Sequence, residues 1–130
     1  MGQRILIVED ERTFAEVLSE FLVDEGYSVL HVRDGITAIN VLSATSPRRP
    51  DLIICDVMLP GMRGDRMAGE VRRRLPGVRL PILLMSASAD PHVQLPDVSF
   101  VSKPFDTNEL LSRIQRLLEV PRAQRAVATY

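Results

Sequence analysis

The chain has 130 residues, enough for one domain with a buried core and too few for two. Its ordinary composition and net charge of −1 give no general attraction to nucleic acid or to an anionic membrane, and no apolar run reaches membrane-spanning length. One cysteine excludes an internal disulfide framework, and two distant histidines argue against a His/Cys metal site.

The N-terminus, MGQRILIVEDE, turns acidic too soon for a signal peptide, so a cytoplasmic protein is expected. Arg4 to Val8 is an apolar, β-branched run that predicts a strand and ends in Glu9, Asp10 and Glu11. Phe14, Val17, Leu18, Phe21 and Leu22 then recur at helical spacing until Gly26. Tyr27 to Val32 predicts the next strand, and Gly35 to Leu42 a short helix buried through Ile36, Ala38, Ile39 and Leu42. A polar, proline-bounded loop leads to Leu52–Cys55, an unbroken run expected of a strand buried on both faces of a parallel sheet. It ends in Asp56 and then in the loop residues Pro60, Gly61 and Gly64.

Met67, Ala68, Val71 and Leu75 give a third helix that Pro76-Gly77 closes. Pro81–Met85 and Val98–Ser102 predict the fourth and fifth strands, ending in Ser86 and in Lys103-Pro104. Asp106 can cap the last helix while Glu109 reaches back, with Leu110, Leu111, Ile114, Leu117 and Leu118 as its buried stripe. Residues 1–120 thus form one domain, and 121–130 a flexible tail. Strands alternating with helices predict a doubly wound parallel sheet covered on both faces. The crossover from Ser86 to Val98 breaks the pattern, since Pro91 and Pro96 leave room for barely more than one helical turn.

All strands of such a sheet share one carboxyl rim, which would carry Glu9, Asp10, Asp56, Ser86 and Lys103. Crowded carboxylates repel unless a hard cation lies between them, and acidic oxygens with open water positions suit Mg²⁺. A lysine and a hydroxyl opposite could hold phosphoryl oxygens while one carboxylate attacks phosphorus. Lys103 is the only Lys among sixteen basic residues, which singles it out. Each feature has a plainer reading. Glu9 and Asp10 could be acids enriched at a helix start, and Ser86 an ordinary loop hydroxyl. Phe100 could be core packing, Cys55 a small hydrophobe, and Arg72–Arg74 a solvated helix face.

IVEDE after the first strand, DLIICDVMLPGMRG around the third, MSA after the fourth and VSKPF after the fifth resemble the receiver domain of two-component response regulators. The resemblance runs from Arg4 to about Glu119, and the four motifs in this order make it specific. It implies a five-stranded sheet of order 2-1-3-4-5. It also implies that Asp56 is the phosphoacceptor, taking its phosphoryl group from a sensor histidine kinase or phosphotransfer protein. By the same resemblance Asp10 is a direct Mg²⁺ ligand, Glu9 acts through water, and the backbone carbonyl of Met58 is a third ligand. Lys103 would pair with phosphoryl oxygens, Ser86 would move to bond one of them, and Phe100 would reorient with Ser86. The Lys103-Pro104 bond would be cis.

The implied protein is not a turnover enzyme: it is a switch that catalyses only its own phosphorylation and dephosphorylation, and it signals to a partner or output domain. No contact with nucleic acid or membrane is expected. Glu9 replaces the commoner Asp and Ser86 the commoner Thr, both within the family's range. The shortened crossover departs from it, and argues against dimerisation through the face to which the fourth helix normally belongs. The alternative is a receiver-like interaction module that works without phosphorylation through its altered fourth-helix region. A flavodoxin-like carrier is disfavoured, because three acids after the first strand would repel a bound phosphate. An aspartyl-phosphate hydrolase would need a second Asp where Met58 stands.

Overall fold

The computed structural model describes residues 2–44, 49–87, 97–103 and 106–119. Its elements in chain order are β1 (Arg4–Val8), α1 (Arg12–Asp24), β2 (Ser28–Val32), α2 (Gly35–Ser43) and β3 (Leu52–Asp56). They continue with α3 (Gly64–Arg74), β4 (Ile82–Ser86), β5 (Val98–Ser102) and α4 (Thr107–Leu118). The five strands form one parallel sheet in the order β2-β1-β3-β4-β5, as expected. The shortened fourth-helix region, the Lys103-Pro104 bond and the tail all lie outside the described residues. Among the described residues, no helix is long and apolar enough to cross a membrane.

Alternation along each strand divides the core in two. Leu6, Val8, Ile53, Cys55, Ile82 and Leu84 face one side, where α2 and α3 contribute Ala38, Ile39, Leu42, Met67, Ala68 and Val71. Ile5, Ile7, Leu52, Ile54, Leu83 and Met85 face the other, against Leu18 and Leu22 of α1 and Leu110, Ile114 and Leu118 of α4. Every residue of β3 is buried, the condition its unbroken apolar run predicts. Burying each such aliphatic side chain stabilises the fold by about 1.5–3 kcal/mol, so β3 is anchored on both faces.

Two strand starts differ from the sequence expectation by one residue. The Tyr27 N–H is drawn back to the Leu22 carbonyl (3.1 Å) as α1 closes over the left-handed Gly26 (φ 98°), so β2 begins at Ser28. Pro81 has no N–H to give the ladder. Its carbonyl accepts from Ile53 N (3.1 Å), and β4 begins at Ile82. At the last helix, Asp106 caps α4 by accepting from Asn108 N (2.6 Å), while Glu109 faces Arg113 of the next turn at 3.5 Å. A reciprocal clasp pins the lower end of β3: Asp51 N donates to the Arg4 carbonyl (2.7 Å) and Arg4 N to the Asp51 carboxylate (2.8 Å).

Candidate functional site

The site assembles where β1, β3, β4 and β5 end. Asp56 is the last residue of β3, and its side chain is 11% exposed. Its two oxygens have separate partners: Oδ1 accepts from Met58 N (3.0 Å), and Oδ2 from the Lys103 ammonium (2.7 Å). Lys103 reaches this point because its backbone N–H extends the β4–β5 ladder to the Ser86 carbonyl (2.7 Å). Ser86 closes β4 opposite Ser102, half-buried beside the cluster.

Glu9 is buried almost completely, and each of its polar groups is held. Its N–H donates to the Val32 carbonyl (3.0 Å), and its carbonyl faces Nε2 of His31 at 2.7 Å. A carbonyl can only accept, so Nε2 of His31 carries the proton. One carboxylate oxygen of Glu9 accepts from Glu11 N (3.1 Å), and the other lies 3.4 Å from the Lys103 ammonium. Lys103 therefore serves two buried carboxylates. Its ammonium also stands 4.5 Å from the centre of the Phe14 ring, contributed by α1.

Two carboxylates facing one ammonium leave a negative charge uncompensated in a largely dry place. Burial pushes the Glu9 carboxyl up to about 7, and the Asp56 charge adds to this; the Glu11 N–H and Lys103 pull the other way. For Lys103, burial alone would lower the pKa, but Asp56 and Glu9 outweigh it and the net direction is upward. The Cys55 thiol is pushed well above its ordinary value, by burial first and by Asp56 and Glu9 second. It stays protonated, consistent with the small-hydrophobe reading.

The remaining candidates sit around this pair. Asp10 is exposed directly after β1, and the Met58 side chain is exposed while its N–H holds Asp56. Phe100 is half-buried and packs against the α2/α3 side of the core, with its carbonyl accepting from Arg113 (2.6 Å). Among the described residues no three acidic, thiol or imidazole side chains gather as a self-sufficient metal site. The excess acid charge and hard oxygen donors nonetheless fit a cation that keeps several waters, which is the habit of Mg²⁺.

Sequence reasoning missed three contributors. His31 looked like an ordinary strand residue, Phe14 like part of the α1 core face, and Gly64 like a loop residue. Gly64 in fact opens α3 against the strand end, where an added Cβ would overlap the Asp56 carbonyl oxygen and stand 3.0 Å from Cys55 Sγ. The last glycine of the DLIICDVMLPGMRG motif is the available signal, but its position alone does not tell a close approach from an ordinary loop turn.

A 2-1-3-4-5 parallel sheet with an acid pair after β1, an aspartate ending β3 and a lysine after β5 defines a receiver architecture. The chain belongs to the response regulator receiver domain family, whose family model matches residues 5–115. It is 36% identical over 122 residues to an uncharacterised transcriptional regulatory protein, YbdJ, of Bacillus subtilis, covering 91% of this chain and 52% of that protein. The chain thus spans about half the length of that relative.

Among solved structures it resembles the signal receiver domain of a histidine kinase from Syntrophus aciditrophicus, with 37% identity, a TM-score of 0.79 and 90% of each chain covered. It also resembles the receiver domain of the sensor histidine kinase PA1611 from Pseudomonas aeruginosa, described with magnesium coordinated in its active-site cleft. There the identity is 31% and the TM-score 0.78, with 91% of this chain and 98% of that one covered.

Proposed function

We propose that this receiver domain accepts a phosphoryl group on Asp56 from the phosphohistidine of a sensor kinase or phosphotransfer protein, and passes the signal to an output domain or partner by changing conformation. One observation carries the reading: the Asp56 carboxylate ends the central strand with Lys103 on one oxygen and the Met58 N–H on the other. A carboxylate fixed in this way presents its oxygens to an incoming phosphorus without first having to be ordered.

In the transfer, an Asp56 oxygen forms a bond to phosphorus as the P–N bond to the donor imidazole breaks, giving an acyl phosphate and a free imidazole. Formation of this mixed anhydride removes the charge of the carboxylate and brings in that of the phosphoryl oxygens. Lys103 is near enough to follow that charge, and Ser86, at the end of the neighbouring strand, is the hydroxyl to bond a phosphoryl oxygen. Phe100, two residues before the end of β5, is the aromatic expected to reorient with Ser86.

Glu9, Asp10, Asp56 and the Met58 carbonyl are the groups that would hold Mg²⁺, which when bound neutralises the excess negative charge of the acids and phosphoryl oxygens. In this reading the domain works in the cytoplasm, and its only catalysis is formation and loss of its own acyl phosphate. Incubation with acetyl phosphate and Mg²⁺ tests the proposal. A hydroxylamine-labile label is expected on the native chain and not on Asp56→Asn, and a label that survives that substitution overturns the assignment.

A further inference from the structure

The α1 helix would bury its inner face with any apolar residue at position 14. It presents a phenyl ring, and the ring centre lies 4.5 Å from the Lys103 ammonium. Phe14 is half-buried and packs against the Ile5, Ile7 and Leu18 side of the core. Lys103 is otherwise a flexible chain of four methylenes, one-quarter exposed, whose tip is anchored among the described residues by Asp56 (2.7 Å) and by the longer contact to Glu9 (3.4 Å).

We infer that Phe14 is a positioning residue for the phosphoryl-transfer site: its ring face holds the Lys103 ammonium over the acid pair. The inference rests on the phosphoacceptor reading above and assigns it one further residue. The physical ground is the negative face of the aromatic ring, which attracts a cation most strongly where water is scarce. Asp56 and Glu9 draw the ammonium inward, and the ring bounds it from the α1 side. Its lateral freedom is thereby reduced without adding a third anion that would repel phosphate. An aliphatic side chain fills the same space but has no such face, so packing and cation placement can be separated by substitution.

The experiment compares the native chain with Phe14→Leu and Phe14→Tyr, using acetyl phosphate with Mg²⁺ and reading label on Asp56. The Leu variant should be phosphorylated about threefold to tenfold more slowly at saturating donor, while the Tyr variant stays within about twofold of the native rate. Nuclear magnetic resonance of the native chain supplies a second reading that needs no variant. The Lys103 ε-methylene protons should lie upfield of free lysine through the ring current, and should return toward the free value in Phe14→Leu.

Unshifted ε-protons in the native chain overturn the inference, even if the Leu variant fails to fold. A Leu variant that is labelled as fast as the native chain overturns it too, and leaves the phosphoacceptor reading standing. A native chain that takes no label at Asp56 overturns that reading first, and the inference with it.

Discussion

Asp56 and Lys103 are separated by 47 residues in sequence and by 2.7 Å in space, and the ammonium that joins them also reaches Glu9 at 3.4 Å. One cation is thus shared by two acids that burial would otherwise drive apart or force to take up protons. Loss of the ammonium should be felt in the chemistry more than in the fold. Lys103→Met is expected to lower phosphorylation by acetyl phosphate about a hundredfold, the scale seen when one preorganised electrostatic donor is removed. Lys103→Arg should also impair the spectral change produced by Mg²⁺ and beryllofluoride, because a planar guanidinium cannot take the same compact position. A native-sized change in the Arg variant would count against this role.

The Glu9 carboxyl makes folding pH-dependent in a direction opposite to most paired acids. Its pKa rises from 4.5 to about 7 on folding, so between these values the folded chain holds a proton that the unfolded chain has released. The contribution of Glu9 to stability is therefore full below about 4.5 and is lost as pH rises through 7. Urea unfolding without Mg²⁺, followed from pH 5 to 8, should contain a falling component that disappears in Glu9→Gln. Mg²⁺ must displace the same proton, so its affinity should increase over that interval.

Gly64 is expected to tolerate no side chain. Its Cβ would overlap the carbonyl oxygen of Asp56 and lie 2.9 Å from the carbonyl carbon, and both are backbone atoms of a strand fixed on two faces. Gly64→Ala should destabilise the domain by about 2–3 kcal/mol in chemical denaturation, near the upper end of ordinary overpacking. It should also slow phosphorylation, since relief of the overlap moves Asp56 itself. A variant with native stability and native labelling would show that α3 can slide away from the strand.

Cys55 should behave as a reporter of global unfolding. Its thiol is fully buried, donates to the Asp56 carbonyl at 3.3 Å and is held protonated. Reaction with a thiol reagent should be negligible in native buffer, and should appear with the same urea midpoint as the loss of far-ultraviolet dichroism. Labelling well before that midpoint would reveal local opening of the β3 end.

The sheet was legible because its strands obey simple rules. Leu52–Cys55 has no polar residue to put in water, and Arg4–Val8 and Val98–Ser102 appear with the bounds expected. The rim was legible because parallel strands must end together, which brings Glu9, Asp56, Ser86 and Lys103 to one edge. What could not be read is contact made by direction and reach. That Glu9 is the buried acid that meets Lys103, whereas Asp10 is exposed, follows from side-chain direction at the strand end and not from the acidic run itself. The hold of His31 on the Glu9 carbonyl depends on the β1–β2 register that sets Ile7 beside His31, a one-residue matter that no periodicity reveals.

The sheet order also dictates a timetable for a nascent chain. When the ribosome has released everything through Asp56, the acids of the site have been made, but the cation that holds Glu9 and Asp56 has not. Until β4 arrives, β3 has an unpaired edge, and until β5 follows, the two buried acids face each other without their ammonium. On the proposed reading, a partly translated domain is therefore unarmed toward phosphoryl donors, and closing the sheet with its last strand completes a site whose other parts were synthesised first.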